Sequence, residues 1–544
     1  MQNFPSTNRN DILNQLAENQ FDILIIGGGI TGAGIALDAA SRGLKTALIE
    51  KNDFASGTSN KSTKLIHGGL RYLKQLEFKL VREVGQEREI VHRMAPNLVV
   101  AEKMLLPFTR GGSFGKFSTS IGLWVYDFLA GVKAKDRRQL LSKEQTLEKE
   151  PLLDAAEILG GGYYVEYRTD DSRLTVEIVK AATRHGAVCS NYFSAQDFVY
   201  ENGRVTGLVC SDQFSAKVFT IRSKVVVNAT GPWVDQLRKI DKSLNKKRLF
   251  LSKGAHLVIS RKKFPLSQAI YFDAGDGRMI FCIPRHRSVY VGTTDTPYTG
   301  DPDIVKANLE DINYLLSAVN RVFPSAHLSV KDVESSWAGL RPLIYEEGKQ
   351  AREMSRKDEI FESPTGLISI AGGKLTGFRK MAEKVVDLVV SKKQGQMVRS
   401  KTREISLSGN NLQSAADVQR FKENILPLLK NSGLEADWTD YLVFNYGESA
   451  RLILEKMQNY SHAPEINLGL AEAWYCIHFE FAVKALDFFN RRTGRLYFYT
   501  DSVTALLEPV LEEFQKQFFW TEERRAAERN EVMEAMYAAQ NFSD

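Results

Sequence analysis

Residues 21–32 read Phe-Asp-Ile-Leu-Ile-Ile-Gly-Gly-Gly-Ile-Thr-Gly (FDILIIGGGITG). The apolar, branched run Phe21 to Ile26 predicts a strand buried on both faces, the form taken in a parallel sheet. Gly27-x-Gly29-x-x-Gly32 follows at once, and Ala33 to Arg42 carries helical spacing closed by Gly43 as a C-cap. Leu44 to Ile49 predicts a second strand ending at Glu50, 18 residues after Gly32. Each glycine has its own physical role. Gly27 permits the tight turn, Gly29 lets backbone approach a pyrophosphate, and Gly32 lets helix and strand close together. The helix N-terminus adds free N–H groups and a positive dipole, and Glu50 stands where a carboxylate takes a ribose hydroxyl pair. A lone GxGxxG often marks only a tight turn. Strand, glycines, helix, second strand and terminal acid together predict a dinucleotide site, without separating FAD from NAD.

Working outward, residues 52–75 read as a long polar loop leading into a charged helix, Glu77 to Met94, after which Pro96 and Pro107 bracket a short strand. Ala187 to Gly231 reads as a β-meander with a turn at Glu201-Asn202-Gly203, ending in the buried strand Val225 to Gly231. Residues 249–345 mix strands with polar turns and predict an antiparallel sheet. Gly366 to Ala371 predicts a strand running into Gly372-Gly373, with a helix from Leu375 to about Val390. Lys392 to Gly395 reads as a linker, and the remainder as amphipathic helices. The expected fold class is α/β in its nucleotide-binding part and α+β overall. A Rossmann-like region occupies about 20–95, 160–245 and 355–395, an antiparallel-sheet substrate region about 96–160 and 246–355, and a helical C-terminal domain 396–544.

The chain's 544 residues exceed one hydrophobic core. With 43% hydrophobic and 25% charged residues it has an ordinary globular composition. A net charge of +6 is mild at this length, and no basic stripe interleaved with aromatics argues for nucleic acid. The four cysteines, Cys189, Cys210, Cys282 and Cys476, form no CxxC pair and no metal-ligand spacing, so neither a disulfide framework nor a metal site is expected. The longest uncharged apolar stretch, Ile23 to Leu37, is broken by five glycines and falls short of the roughly 20 residues a membrane span needs. The expected location is cytoplasmic, with peripheral contact at the inner face of the cell membrane as a further option.

Two later segments favour FAD. Val225 to Gly231 (VVVNATG) resembles the second flavin-domain signature, and Ile368 to Thr376 (ISIAGGKLT) the third, where a glycine turn and helix start face the flavin ring. Taken with STKLIHGGLRYL at 62–73, ERE…MAP at 87–96, NATGPWV at 228–234, KGAHLV at 253–258, VGTTD at 291–295, NYLL at 313–316, AGLRPL at 338–343 and GGKLTGFRK at 372–380, the chain resembles the FAD-dependent glycerol-3-phosphate dehydrogenase family, among the D-amino-acid-oxidase-like flavoproteins. The resemblance covers about residues 20–390, and more loosely the helical remainder. It implies FAD as cofactor, oxidation of sn-glycerol 3-phosphate to dihydroxyacetone phosphate, and electrons passed to a membrane quinone. A homodimer is compatible with it.

A phosphate dianion carrying a secondary alcohol needs cations, Arg above all for its planar fork, and a group that manages the alcohol proton while hydride moves to flavin N5. By motif match the resemblance places Arg341 and Arg356 at the phosphate, Arg71 and Tyr72 beside the substrate, His256 as base or hydroxyl orienter, and Lys374 between flavin and substrate. His256, Lys374 and Arg71 could each influence the proton. A surface role competes for Arg356, which lies in a charged stretch, and a structural role for His256 and Tyr72. Thr58, Ser59, Ser62 and Lys64 are expected at the pyrophosphate or flavin, with helix capping as the competing role. His67 is expected beside the ring, and Ala229, Thr230, Gly231, Gly373, Leu375 and Thr376 along the cofactor. The nearest rival function is glycerol-3-phosphate oxidase, which uses oxygen; oxidases of this kind resemble a longer chain, and no insertion is visible here. An amine or amino-acid oxidase of the same superfamily is a second rival, and a flavin-bound assembly protein a third.

Overall fold

The computed structural model describes residues 4–67, 78–111, 138–245, 247–345, 358–392, 398–409 and 411–542. Its centre is a six-stranded sheet in the order Asp358–Glu362, Ile368–Gly372, Val226–Asn228, Ile23–Ile26, Thr46–Ile49, Val188–Ser190. All neighbours are parallel except the first pair, which is antiparallel. The branched run of the opening stretch explains the placement. Ile23 and Ile25 face a core shared with the helices Ile30–Ser41, Asp171–Arg184 and Phe378–Ser391, while Leu24 and Ile26 face a second core under the meander. Every residue of the strand is therefore buried, and no alternation of polar and apolar is possible.

The meander is Phe193–Glu201, Arg204–Asp212 and Val218–Ser223. Two boundaries differ from expectation. Phe21 leaves the predicted first strand and, with Gln20, pairs in parallel with Val218–Ser223, so that strand starts at Ile23. Val188–Ser190 belongs to the central sheet beside Thr46–Ile49.

A ten-stranded sheet, mostly antiparallel, faces the carboxyl ends of the central strands. Its longest members are Leu249–Ser260, Val333–Ile344, Val100–Thr109 and Ile158–Arg168. Pro107, expected to end a strand, lies inside Val100–Thr109, opposite Gly161. The neighbour on the other side, Ala269–Asp273, pairs only with Met104 and Leu105, so no ladder bond is demanded of the missing N–H. Leu65–Ile66 and Ile158–Arg168 also run in this sheet, which moves the joins away from residues 95 and 160. Alternating apolar strands suit either sheet, so pattern alone does not assign them. Leu309–Val322 is a capped helix inside the region expected to be sheet.

Beyond residue 398 the chain is helical, from Ala415–Asn431 through Glu522–Gln540. It closes onto the nucleotide part through buried charge. Arg492 donates to both oxygens of Asp53 at 2.7 and 2.9 Å, and Arg491 Nε donates to Asp53 Oδ2 at 2.5 Å. Arg173, on the helix Asp171–Arg184, makes a two-pronged pair with Glu480 at 2.7 Å in each arm.

Candidate active site

A cavity of about 660 Å³ runs along the carboxyl ends of the central strands and under the large sheet. In an open parallel sheet this is where ligands bind. Its lining includes Gly27, Gly29, Ile30 and Glu50 and also Lys374, His256 and Arg341.

The glycine turn is built for close approach. Gly27 has φ +109°, and a Cβ there would stand 2.6 Å from the Ala229 carbonyl oxygen. A Cβ on Gly32 would stand 1.9 Å from the Gly27 oxygen, so Gly32 shapes the turn from beneath. Ile30 N, at the start of its helix, donates to Ser59 Oγ at 2.9 Å. Glu50 accepts from Gly28 N at 2.7 Å and from Asn52 N at 2.9 Å; burial pushes its carboxyl up, against those two amides. A turn that a Cβ would fill, a helix start, and a buried carboxylate at the second strand end fit the pyrophosphate and ribose of a dinucleotide. The far turn has the same character: Gly372 and Gly373 have φ +77° and +81°, and Lys374, Leu375 and Thr376 follow along the cavity. Thr376 Oγ1 donates to the His67 carbonyl at 3.2 Å, tying the two loops together.

Arg341 donates to Thr293 Oγ1 at 2.9 Å and to the Thr294 carbonyl at 3.1 Å, and pairs with Asp295 at 3.3 Å. Gly254 makes room for it, since a Cβ there would lie 2.4 Å from Arg341 Nη2. His256 is 1% exposed and stacks on Trp337, ring centroids 4.9 Å apart and planes 10° apart. Its Nε2 is 2.9 Å from Thr63 Oγ1. Burial, and then the charges of Arg341 and Lys64, hold its pKa well below the usual histidine value, so the ring is neutral near pH 7.

The cavity brings together Gly27, Gly29, Glu50, Thr58, Ser59, Ser62, His67, Ala229, Thr230, Gly231, His256, Arg341, Gly373, Lys374, Leu375 and Thr376. Arg71, Tyr72 and Arg356 lie outside the described residues. Lys64 stands in the same loop, with its side chain 1% exposed and its ammonium 2.5 Å from Asp171, because two adjacent acids, Asp170 and Asp171, need a buried counter-charge. Sequence reasoning missed Thr63, Lys61, Trp233, and the stacked pair Tyr271–Phe281, whose centroids are 4.2 Å apart. Thr63 and Thr293 stand inside motifs that carried the resemblance, which was the only signal for them. Lys61 and Tyr271 gave none.

The model of a family described as FAD dependent oxidoreductase matches residues 22–379, and that of the C-terminal domain of alpha-glycerophosphate oxidase matches 400–525. An aerobic glycerol-3-phosphate dehydrogenase of Bacillus subtilis is 48% identical over 535 residues, 96% of each chain. The structure of the glycerol-3-phosphate dehydrogenase from Bacillus halodurans, complexed with FAD, aligns with a TM-score of 0.85 at 42% identity, covering 99% of both chains. An L-alpha-glycerophosphate oxidase of Mycoplasma pneumoniae shares the fold, with a TM-score of 0.57 at 17% identity; 98% of it covers 71% of this chain.

Proposed function

This chain belongs to the FAD-dependent oxidoreductases, in the branch of the glycerol-3-phosphate dehydrogenases, and on that premise we propose that it oxidises sn-glycerol 3-phosphate to dihydroxyacetone phosphate and passes the electrons to a membrane quinone. The observation that carries the reading is Arg341, a guanidinium held by Thr293, Thr294 and Asp295 in the cavity that the glycine turn also lines.

In this reading Gly27, Gly29, Ser59, Glu50, Ala229 to Gly231 and the turn Gly373 to Thr376 hold FAD, which when bound supplies the acceptor for the hydride on substrate carbon 2. Arg341 clamps the phosphate through its planar fork. Lys374 adds positive charge where negative charge gathers during transfer. His256 serves as a neutral hydrogen-bonding group, since its burial opposes a cation. Arg71, Tyr72 and Arg356 keep their proposed places beside the substrate.

The test is anaerobic addition of sn-glycerol 3-phosphate to the flavin-loaded protein. Bleaching of the oxidised-flavin band supports the substrate; an unbleached yellow protein sinks it. Adding a short-chain quinone or oxygen to the bleached protein then separates the acceptors. Faster reoxidation by quinone supports the dehydrogenase. Faster reoxidation by oxygen with release of peroxide supports an oxidase, the reading favoured by the kinship of residues 400–525 to an oxidase domain.

A membrane quinone as acceptor calls for contact with the membrane, and contact at its cytoplasmic face belongs to the same proposal. Among the described residues no helix is long and apolar enough to cross one. The proposed contact is therefore peripheral, and a homodimer belongs to the same proposal. Flotation with anionic vesicles at low salt, and sedimentation, test the two.

A further inference from the structure

Thr63 hangs between two anchored neighbours. Ser62 N donates to Asp171 Oδ2 at 2.9 Å, and the Ser62 carbonyl accepts Trp337 Nε1 at 3.2 Å. Lys64 is tied into Asp171 at 2.5 Å, and its own amide donates to Ser62 Oγ at 3.0 Å. With both neighbours fixed, the Thr63 side chain borders the cavity, and as a β-branched residue it has few rotamers to choose from.

Its Oγ1 is 2.9 Å from His256 Nε2. The imidazole is fixed by its stack on Trp337 and by Gly292, where a Cβ would stand 2.1 Å from His256 Cδ2. Its other nitrogen, Nδ1, is buried and has no hydrogen-bond partner among the described residues. A neutral imidazole carries one N–H. Placed on Nδ1, that N–H would be a buried donor with no acceptor, which folded proteins rarely tolerate. Placed on Nε2, it is donated to Thr63 Oγ1, and the bare Nδ1 lone pair sits in the positive field of Arg341 and Lys64. Thr63 then accepts from His256 and keeps its own hydroxyl proton to give, and His256 is the only partner that oxygen has among the described residues.

We propose that Thr63, oriented by His256, donates a hydrogen bond to the oxygen on carbon 2 of the substrate. The inference rests on the substrate reading above. When a secondary alcohol becomes a ketone its carbon gives a hydride to the flavin and its oxygen gives its proton to water in the cavity, so that oxygen ends as an acceptor only and a fixed donor holds it more strongly as the reaction proceeds. Arg341, which would take the phosphate, is close enough to act on His256, so the two grips share one wall of the cavity. His256 becomes a positioning residue that acts through Thr63, rather than the base.

The experiment is the rate of anaerobic flavin bleaching by sn-glycerol 3-phosphate in the holoenzyme, with wild type, Thr63→Ser and Thr63→Val compared at equal flavin occupancy. Wild type is measured first: if it does not bleach, the substrate reading fails and this inference falls with it. If wild type bleaches, Thr63→Val should slow the limiting rate by roughly 10²-fold while leaving the half-saturating substrate concentration within a few-fold, and Thr63→Ser should stay near wild type. A Thr63→Val enzyme bleaching at the wild-type rate overturns the inference. So does loss of flavin from either variant, which would make Thr63 part of the cofactor seat.

Discussion

On the proposed function, substrate choice turns on Arg341. Its fork is aimed by three partners, and Lys cannot reproduce that geometry. Arg341→Ala should raise KM for sn-glycerol 3-phosphate about 10²-fold, the worth of ~3 kcal/mol of charged hydrogen bonds, with the larger share in KM and not in kcat. Equal loss in both would place it outside the phosphate site. Gly27 is the corresponding residue for the cofactor. Gly27→Ala adds strain of about 1–3 kcal/mol at its positive φ and drives a methyl into the Ala229 carbonyl, so the purified protein should carry little flavin. His256 predicts a pH dependence. Its folded pKa lies below the ordinary 6.5, so the unfolded chain binds the extra proton. Its contribution to stability is complete above pH 6.5 and is lost as pH falls from there toward the folded value, at up to ~1.4 kcal/mol per pH unit. Urea midpoints of His256→Gln should show a shallower fall over that acid range than wild type; an unchanged slope would mean the ring is not held neutral.

Elements were legible in proportion to how locally they are specified. The strand, glycine turn and helix of residues 21–43 could be read because each step is fixed by its own residues: branched apolar side chains, glycines at forced conformations, a C-cap. Val188–Ser190 could not be assigned, since a three-residue strand has no period and its sheet is chosen by Thr46–Ile49. Pro107 misled for the same reason: whether a proline ends a strand depends on a neighbour far along the chain. In the site, the residues whose backbone makes the cavity were found from motif alone. Where the Lys64 side chain goes was not legible, because its partners, Asp170 and Asp171, come from another element. Gly34 gives an element-scale test. It lies where the helices Ile30–Ser41 and Phe378–Ser391 meet, and a Cβ would stand 2.9 Å from the Phe378 ring. Gly34→Val should cost roughly 1–3 kcal/mol in urea unfolding at constant m. A neutral effect would show that the two helices part without loss.

Across the whole molecule, the nucleotide part and the helical part are held by charges neither could bury alone. Arg491 and Arg492 keep the Asp53 carboxyl down at about 2, below its ordinary 3.8. This contribution is present above pH 3.8 and is lost only as the pH falls through 2. Asp53→Asn removes the carboxylate that Arg491 and Arg492 share, leaving them Asp487 and the Glu480 carbonyl, and should cost ~3–5 kcal/mol, read as a fall in Tm. Asp53→Leu paired with Arg491→Met, Arg492→Leu and Asp487→Asn should recover much of it, because Asp487 is the other buried carboxylate that Arg491 holds, at 2.6 Å, and the desolvation of all four charges goes with them. If the single variant melts like wild type, the clamp is not what joins the parts.

The clamp also bears on the order of events during synthesis. The glycine turn at residue 27 and Asp53 leave the ribosome long before Arg491 and Arg492, and Arg173 long before Glu480. Until those late residues emerge, the nascent chain holds a carboxylate and a guanidinium that its own folded interior cannot shelter. The glycine turn and the segment that carries Asp53 are therefore made long before the residues that lock them, and a chain released short of residue 492 would meet the cell's proteases with Asp53 lacking its arginines.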